Sequence, residues 1–332
     1  MTSHRILITG AAGFIGSSIA RELAKQGIHT RGMDNLSTGS LANLSGLEDY
    51  VEFTEADLLD ERSLLRLCDG VDVVFHEAAI PSVPKSVRDP LTSHRSNVDG
   101  TLNLLLAARR CGVKRVVYAA SSSAYGDVTG SAKQETMRAA PISPYAVQKL
   151  CGEHYMQSFH AVYGLETICL RYFNVFGPHQ AANSPYSGVL AKFITEMLAG
   201  RSPSIFGDGT QSRDFTFIDN VVEANLLAGR APANAVSGKV YNVACGNSAS
   251  LLDVYAMLQR ITGFQGAPRF LEARVGDVRD SLADIRAAAQ DLGYRPSVKL
   301  FDGLERTVEW YRQQISAEIL VPQVIPGVAI HA

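Results

Sequence analysis

One turn constrains this chain more than any other feature. Gly10-Ala11-Ala12-Gly13-Phe14-Ile15-Gly16 follows directly on the apolar run Ile6-Leu7-Ile8-Thr9, and beyond it Ile15, Ile19 and Leu23 recur at four-residue spacing. That periodicity lays one apolar stripe along a helix, so a strand turns through glycines straight into a helix. The glycines permit a tight turn and close helix–sheet packing, and the unpaired N–H groups at the helix start suit a pyrophosphate. Asp34-Asn35 closes the next apolar run, with Asp34 placed 18 residues after Gly16. An acid there accepts hydrogen bonds from ribose hydroxyls and repels a 2′-phosphate, so the combination predicts a site for NAD in preference to NADP. Arg31 alternates away from Asp34 along the same strand, and a surface role is expected for it.

The runs 5–9, 29–33, 51–56, 71–75, 115–120 and 167–172 read as strands, and 60–68, 98–111 and 145–163 as helices. Strands alternating with helices cross over into a parallel sheet covered on both faces. The fold class is therefore α/β, a doubly wound (Rossmann) parallel sheet. Near residue 175 the rhythm changes: loops lengthen at Gly177-Pro178 and Phe206-Gly207-Asp208-Gly209. Helical patterns at 189–199, 220–227, 251–261, 284–292 and 300–314 then read as a smaller mixed α/β C-terminal substrate-binding cap. The expected division is 1–175 for the NAD-binding domain and 176–320 for the substrate-binding region, with some chain returning to the first domain. Residues 321–332 form a tail to which no function is assigned.

Composition excludes several classes. Lys plus Arg (31) balances Asp plus Glu (33), for a formal net charge of −2, which leaves no basic excess to track nucleic acid. The five cysteines, Cys68, Cys111, Cys151, Cys169 and Cys245, are odd in number, with no Cys-x-x-Cys pair. They read as reduced, mostly buried thiols, so neither a metal site nor a disulfide frame is expected. No apolar run reaches the ~20 residues of a membrane span, and no signal-peptide core precedes the first strand. A soluble, cytoplasmic protein is expected.

Tyr145-Ala146-Val147-Gln148-Lys149 sets a phenol and an ammonium four apart, on one helix face. A cation beside a phenol lowers its pKa from ~10 towards neutrality, making a general base. Ser121-Ser122-Ser123 ends the fifth strand, at the carboxyl edge where ligands bind in such sheets, and a serine there relays a proton. Asp57-Leu58 and Ala78-Ala79-Ile80 end the third and fourth strands, beside the expected adenine and nicotinamide ribose.

Together, the glycine turn, the serine before Tyr125-Gly126 and the Tyr145/Lys149 pair resemble the extended short-chain dehydrogenase/reductase family. Within it the chain is similar to the nucleotide-sugar 4-epimerases acting on UDP-hexoses and UDP-N-acetylhexosamines, over residues 6–310. The resemblance implies that Ser121, Tyr145 and Lys149 are catalytic, with Lys149 on the nicotinamide ribose. It implies that Ser37, Thr38, Gly39, Asn97 and Tyr172 join the turn and Asp34 around NAD. It implies that Asn174, Arg213 and Arg274 hold the substrate diphosphate, Asp277 a uridine ribose hydroxyl, and Ile205 and Phe206 the uracil. Paired guanidinium forks suit phosphate oxygens. Ser82, Ser122, Ser123, Gln180, Gly188, Val189 and Ser281 complete the substrate set. A homodimer is implied, with helices 98–111 and 145–163 packing on their copies as a four-helix bundle; Leu102, Leu105 and Leu106 fit that interface and the intrachain core equally well.

Dehydratases of that family carry an Asp-Glu pair where this chain has Ser122-Ser123, so loss of water at C5–C6 is unsupported. The expected reaction is reversible C4 epimerisation of a UDP-sugar with bound NAD. Ser281 stands at the position whose size admits or excludes a 2-acetamido group, which favours UDP-GlcNAc/UDP-GalNAc over UDP-Glc/UDP-Gal. Ile80-Pro81 departs from that branch, which has a glycine before the serine. UDP-glucuronate epimerisation, a net nucleotide-sugar oxidoreductase and a NAD-sensing protein are the alternative readings.

Overall fold

The computed structural model describes residues 5–128, 132–181, 188–272 and 279–320. Its centre is β1 (Ile6–Thr9), flanked by β2 (Thr30–Asp34) and then β3 (Val51–Glu55) on one side. On the other side stand β4 (Val73–His76), β5 (Arg115–Ser121), β6 (Glu166–Tyr172) and β7 (Lys239–Val243). Every neighbouring pair is parallel. The six strands expected from sequence lie within two residues of their expected bounds. The seventh was not read: Lys-Val-Tyr-Asn-Val arrives after a long helical stretch and edges the sheet, where only part of the strand is covered. It pairs with β6 from Lys239 opposite Ile168 to Val243 opposite Tyr172.

Helices cover both faces because successive strand residues point to opposite sides. On one face Ile8, Phe75, Val117 and Ile168 pack under α1 (Phe14–Lys25) and a later helix, whereas Leu7, Val74, Val116 and Tyr118 face the other way. That second face is closed by α2 (Glu61–Cys68), α5 (Gly100–Arg110) and α6 (Pro144–Tyr163). Between β4 and α5 lie two short helices absent from the sequence reading, α3 (Val83–Arg88) and α4 (Pro90–His94), joined to α5 by a π turn at Arg95–Asp99. Their signals were present. Ser82 and Asp89 are N-caps that accept from the backbone N–H groups of Lys85 and Thr92, and proline occupies the first turn of each helix.

Beyond β6 come α7 (Val189–Leu198), α8 (Ile218–Arg230), α9 (Ala233–Val236), α10 (Leu251–Thr262), α11 (Arg286–Asp291) and α12 (Leu300–Leu320). Short strands link this part: Ser204–Phe206 pairs with Arg269–Leu271, and Ser212–Arg213 with Ala249–Ser250 and Asp280–Ser281. α8 lies against α1 and the main sheet, so residues beyond the change of rhythm contribute a helix and a strand to the first layer.

Two sequence expectations need correction. Arg31 is no surface residue: it is half-buried and donates to the carbonyls of Leu67 (3.0 Å) and Asp69 (2.6 Å), tying β2 to the end of α2. The cysteines are unpaired as expected, yet only Cys68 and Cys169 are buried and the other three are half-buried. Leu105 belongs to the core, whereas Leu106 on the same helix is 43% exposed. Among the described residues no helix is long and apolar enough to cross a membrane.

Candidate active site

The carboxyl ends of β1 to β6 meet at one cavity of about 760 Å³ along that edge of the sheet. Gly10 leaves β1 at φ +71° and lies against the backbone of Glu77 and Ala78, where an added Cβ would stand 2.7 Å from the Ala78 nitrogen. A Cβ on Gly16 would meet the Gly10 carbonyl oxygen at 2.2 Å. These two positions admit only glycine. Gly13 caps α1 without a side-chain acceptor, which leaves the first N–H groups of that helix for a ligand.

Asp34 ends β2 with its carboxylate on the cavity wall, accepting from the backbone N–H of Ala12 (3.1 Å) and Leu36 (2.8 Å). Burial raises its pKa and those bonds oppose the rise. Asn35 donates to Asp57 at 2.6 Å, and Ser37, Thr38, Leu58, Ala79 and Ile80 line the same wall. Gly39 stands behind it, where a Cβ would lie 2.9 Å from the Asp34 carboxylate. Asn97 is buried one layer back: it accepts from the Ile80 N–H (2.8 Å) and donates to Gln148 of α6 (2.9 Å).

α6 begins at Ser143, whose side chain accepts from the Ala146 N–H, while Ser86 of α3 accepts from the Tyr145 N–H at 3.0 Å. These two caps set the start of the helix, and with it Tyr145, against the end of β5. Ser121 and Tyr145 both line the cavity, and the Ser121 hydroxyl acts on the Tyr145 phenol. Ser123 donates to Ser121 at 2.9 Å from the following turn, in which Ser122 also lies. Lys149 is 3% exposed and donates to the Ala119 carbonyl at 2.7 Å, with the Tyr118 ring 4.9 Å from Nζ.

The expected lowering of the phenol is not met by these side chains. Burial pushes Tyr145 up to about 12, and the opposing influence is the Ser121 hydrogen bond, not Lys149. Lys149 is itself pushed down to about 8 by burial, and its electrostatic partners are Glu77 and Glu153. Spacing along a helix places two groups on one face; their burial depends on everything packed over that face.

On the cap side, Tyr172, Asn174, Gln180 and Gly188 line the cavity. Asn174 adopts φ +34° and donates to the Asp214 carbonyl at 3.0 Å. Ser281 stands one side chain back, its oxygen 3.5 Å from the Asn174 amide nitrogen. Ser82 faces the cavity from the cap of α3. Val189 opens α7 beside Gly188. Arg213 donates to the carbonyls of Ser212 (2.8 Å) and Arg279 (2.9 Å), and Ile205 is fully covered in the core with Phe206 next to it. Arg274 and Asp277 lie outside the described residues.

Among the cavity residues that sequence reasoning missed, Glu77 and His179 stand out. Glu77 directly follows β4 at the ligand-binding edge, a position that any carboxylate should have flagged. His179 adopts φ +67° and stacks on Trp310 of α12 at 5.1 Å, a contact between distant segments that carries no local signal.

Comparison with known proteins places this arrangement. Residues 6–244 match the NAD dependent epimerase/dehydratase family. A UDP-glucose 4-epimerase of Mycolicibacterium smegmatis is 39% identical over 314 residues, spanning 93% of this chain and 99% of its own. The structure of Thermotoga maritima UDP-glucose 4-epimerase with UDP-glucose superposes with a TM-score of 0.89 at 37% identity, covering 93% of this chain and 99% of that one. A UDP-N-acetylglucosamine 4-epimerase from Methanobrevibacter ruminantium, in complex with UDP-N-acetylmuramic acid, has the same TM-score and identity, covering 95% and 100%. A Bacillus cereus UDP-glucuronic acid 4-epimerase with UDP-glucuronic acid and NAD gives 0.87 at 35%, covering 93% and 99%. With the family match running from β1 to the end of β7, this chain belongs to the NAD-dependent epimerase/dehydratase family and is an enzyme that uses NAD.

Proposed function

We propose that the protein catalyses reversible C4 epimerisation of a UDP-hexose through a 4-keto sugar, with NAD retained between turnovers, and favours UDP-GlcNAc and UDP-GalNAc. The carrying observation is the single cavity that joins the glycine turn and Asp34 to Ser121 and Tyr145, and these to the cap residues Asn174, Gln180 and Gly188. Relatives of the same length act on UDP-glucose, UDP-N-acetylglucosamine and UDP-glucuronic acid.

The residues fit NAD. The uncapped start of α1 receives the pyrophosphate, Asp34 the adenosine ribose, and Ala78-Ala79-Ile80 with Lys149 the nicotinamide ribose. Bound NAD supplies the hydride acceptor and donor for C4 and a positive ring whose charge favours a phenolate. Tyr145 takes the 4-hydroxyl proton, directly or through Ser121, and returns it once the keto sugar has presented its other face. That turn requires firm anchoring of UDP and a loosely held sugar, so binding energy belongs at the diphosphate. Asn174, Arg213 and Arg274 are assigned to that end, Asp277 to the uridine ribose, and Ile205 and Phe206 to the uracil.

Proton NMR of the purified protein with UDP-GlcNAc, UDP-Glc and UDP-GlcA in turn tests the reading. Formation of the C4 epimer supports it, and no epimer from any of the three with NAD present refutes it. The sugar preference rests on Ser281, a small side chain behind Asn174. Ser281→Tyr pushes an aromatic ring against Asn174, and the N-acetylated rate is expected to fall at least about tenfold further than the plain hexose rate, roughly the 1–3 kcal/mol that a misfit group costs in a closed pocket. Equal losses on both sugars would remove Ser281 as the selector.

A second copy of this chain is the expected partner. Val87, Leu91, Leu106, Val147 and Val162 are 43–66% exposed on α3 to α6, apolar side chains that a second copy packed on these helices would cover. Sedimentation at micromolar protein should give a dimer; a monomer rejects it.

A further inference from the structure

Glu77 is the cavity carboxylate with no role in the reading above. Its backbone N–H donates to the Thr9 carbonyl at 3.1 Å, continuing the β1–β4 pairing, and the residue lines the cavity together with Ala120, Ser121, Tyr145 and Tyr172. One carboxylate oxygen accepts from the Tyr172 hydroxyl at 2.9 Å, and that hydroxyl accepts from the Asn225 amide at 2.8 Å. The other oxygen is covered and has no hydrogen-bond partner among the described residues. A buried carboxylate with an unmatched oxygen is costly unless a positive charge stands nearby.

Lys149 is the neighbouring cation. Its ammonium donates to Ala119, which follows Tyr118, the β5 partner of His76, so it lies one strand from Glu77 without forming a direct ion pair. It is buried, and two carboxylates act on it, Glu77 from the end of β4 and Glu153 from its own helix. Those two are not equivalent. Glu153 is held at both oxygens by Arg171 of β6, at 2.9 and 2.7 Å, so its charge is already matched. Glu77 is bonded only by the neutral Tyr172 hydroxyl. The remaining groups facing Lys149 carry no negative charge at neutral pH. Tyr118 is held protonated by burial, as is Tyr145, and His76 is held neutral between Thr9 and Thr101.

We propose that Glu77 is the counter-ion of Lys149, a positioning residue that keeps the buried ammonium charged and thereby sets the alkaline limit of turnover. Only the turnover part rests on the epimerase reading; the charge pairing does not. Burial pushes Glu77 up to about 7 and Lys149 down to about 8, which keeps the pair charged between those values. Removing the carboxylate leaves the desolvation of Lys149 unopposed by Glu77, so the lysine loses its proton at lower pH.

The test is a pH titration of lysine ¹³Cε resonances in full-length, NAD-loaded protein, with Lys149 identified by the signal lost in Lys149→Arg. Glu77→Gln is expected to lower the Lys149 midpoint by about one pH unit, the size of effect an opposite charge at close range has. The alkaline limb of kcat should move down with it while KM for the UDP-sugar stays within about twofold, and Glu77→Asp should recover part of both shifts. An unchanged Lys149 midpoint in Glu77→Gln overturns the proposal. Should that variant fail to fold, the wild-type resonance decides: a second inflection as Glu77 ionises near pH 7 supports the pairing, and a single inflection overturns it. A shifted midpoint in a protein that epimerises no UDP-sugar would keep the pairing and discard the epimerase reading.

Discussion

Tyr145→Phe is expected to cut C4 epimerisation by about 10²- to 10⁴-fold, the range over which positioned acid–base groups act, while leaving NAD bound. The substitution removes one hydroxyl and keeps the ring, so the wall of the cavity and the start of α6, set by Ser143 and Ser86, are preserved. What is lost is the hydroxyl assigned to move the proton of the sugar hydroxyl, the group on which Ser121 acts. Because burial holds that phenol protonated, the wild-type rate should climb with pH through the neutral range, until Lys149 gives up its proton near 8. The residual rate of the variant should show no such climb. Epimer formation followed by NMR, with NAD released from denatured protein and measured by absorbance, reads both quantities. Turnover near the wild-type rate would place the base elsewhere.

Glu153→Gln should cost about 3–5 kcal/mol of stability, the penalty for stranding one member of a buried ion pair. That is a large part of the ~5–15 kcal/mol that holds a typical domain folded. Glu153 and Arg171 are 2% and 4% exposed, and the guanidinium rests on the Tyr125 ring at 4.6 Å. One guanidinium nitrogen has no partner in the described structure, so the pair has no spare hydrogen bond with which to absorb the loss. The pair also pins α6 to β6 one turn beyond Lys149, so part of the activity should disappear along with the stability. Urea unfolding of the variant and of the double replacement Glu153→Leu/Arg171→Met separates the causes. An apolar pair of similar volume removes both charges together and should recover most of the loss. A single variant within about 1 kcal/mol of wild type, below the range expected for such a pair, would show that water reaches the site.

What the sequence determined by itself was everything written between near neighbours. The glycine turn can be read because φ +71° at Gly10 and the 2.2 Å approach at Gly16 are demands of the local backbone. The first six strands, α1 and α6, and the placement of Tyr145 one turn before Lys149 follow from residue periodicity in the same way. The family resemblance rests on those short, contiguous motifs, and the match over residues 6–244 agrees with it.

Tertiary structure decided what depends on distance in space. β7 joins the sheet 67 residues after β6 ends, and nothing in Lys-Val-Tyr-Asn-Val indicates that β6 is its neighbour. Helical spacing set Tyr145 and Lys149 on one face, but the pKa values of both are governed by burial, which the whole fold supplies. For the same reason Glu153 is matched by Arg171 from another element, while Glu77, from the end of another strand, acts on Lys149. Backbone geometry acts over one to four residues and can be read along the chain; desolvation and charge pairing act over ångströms, between segments that only folding brings together.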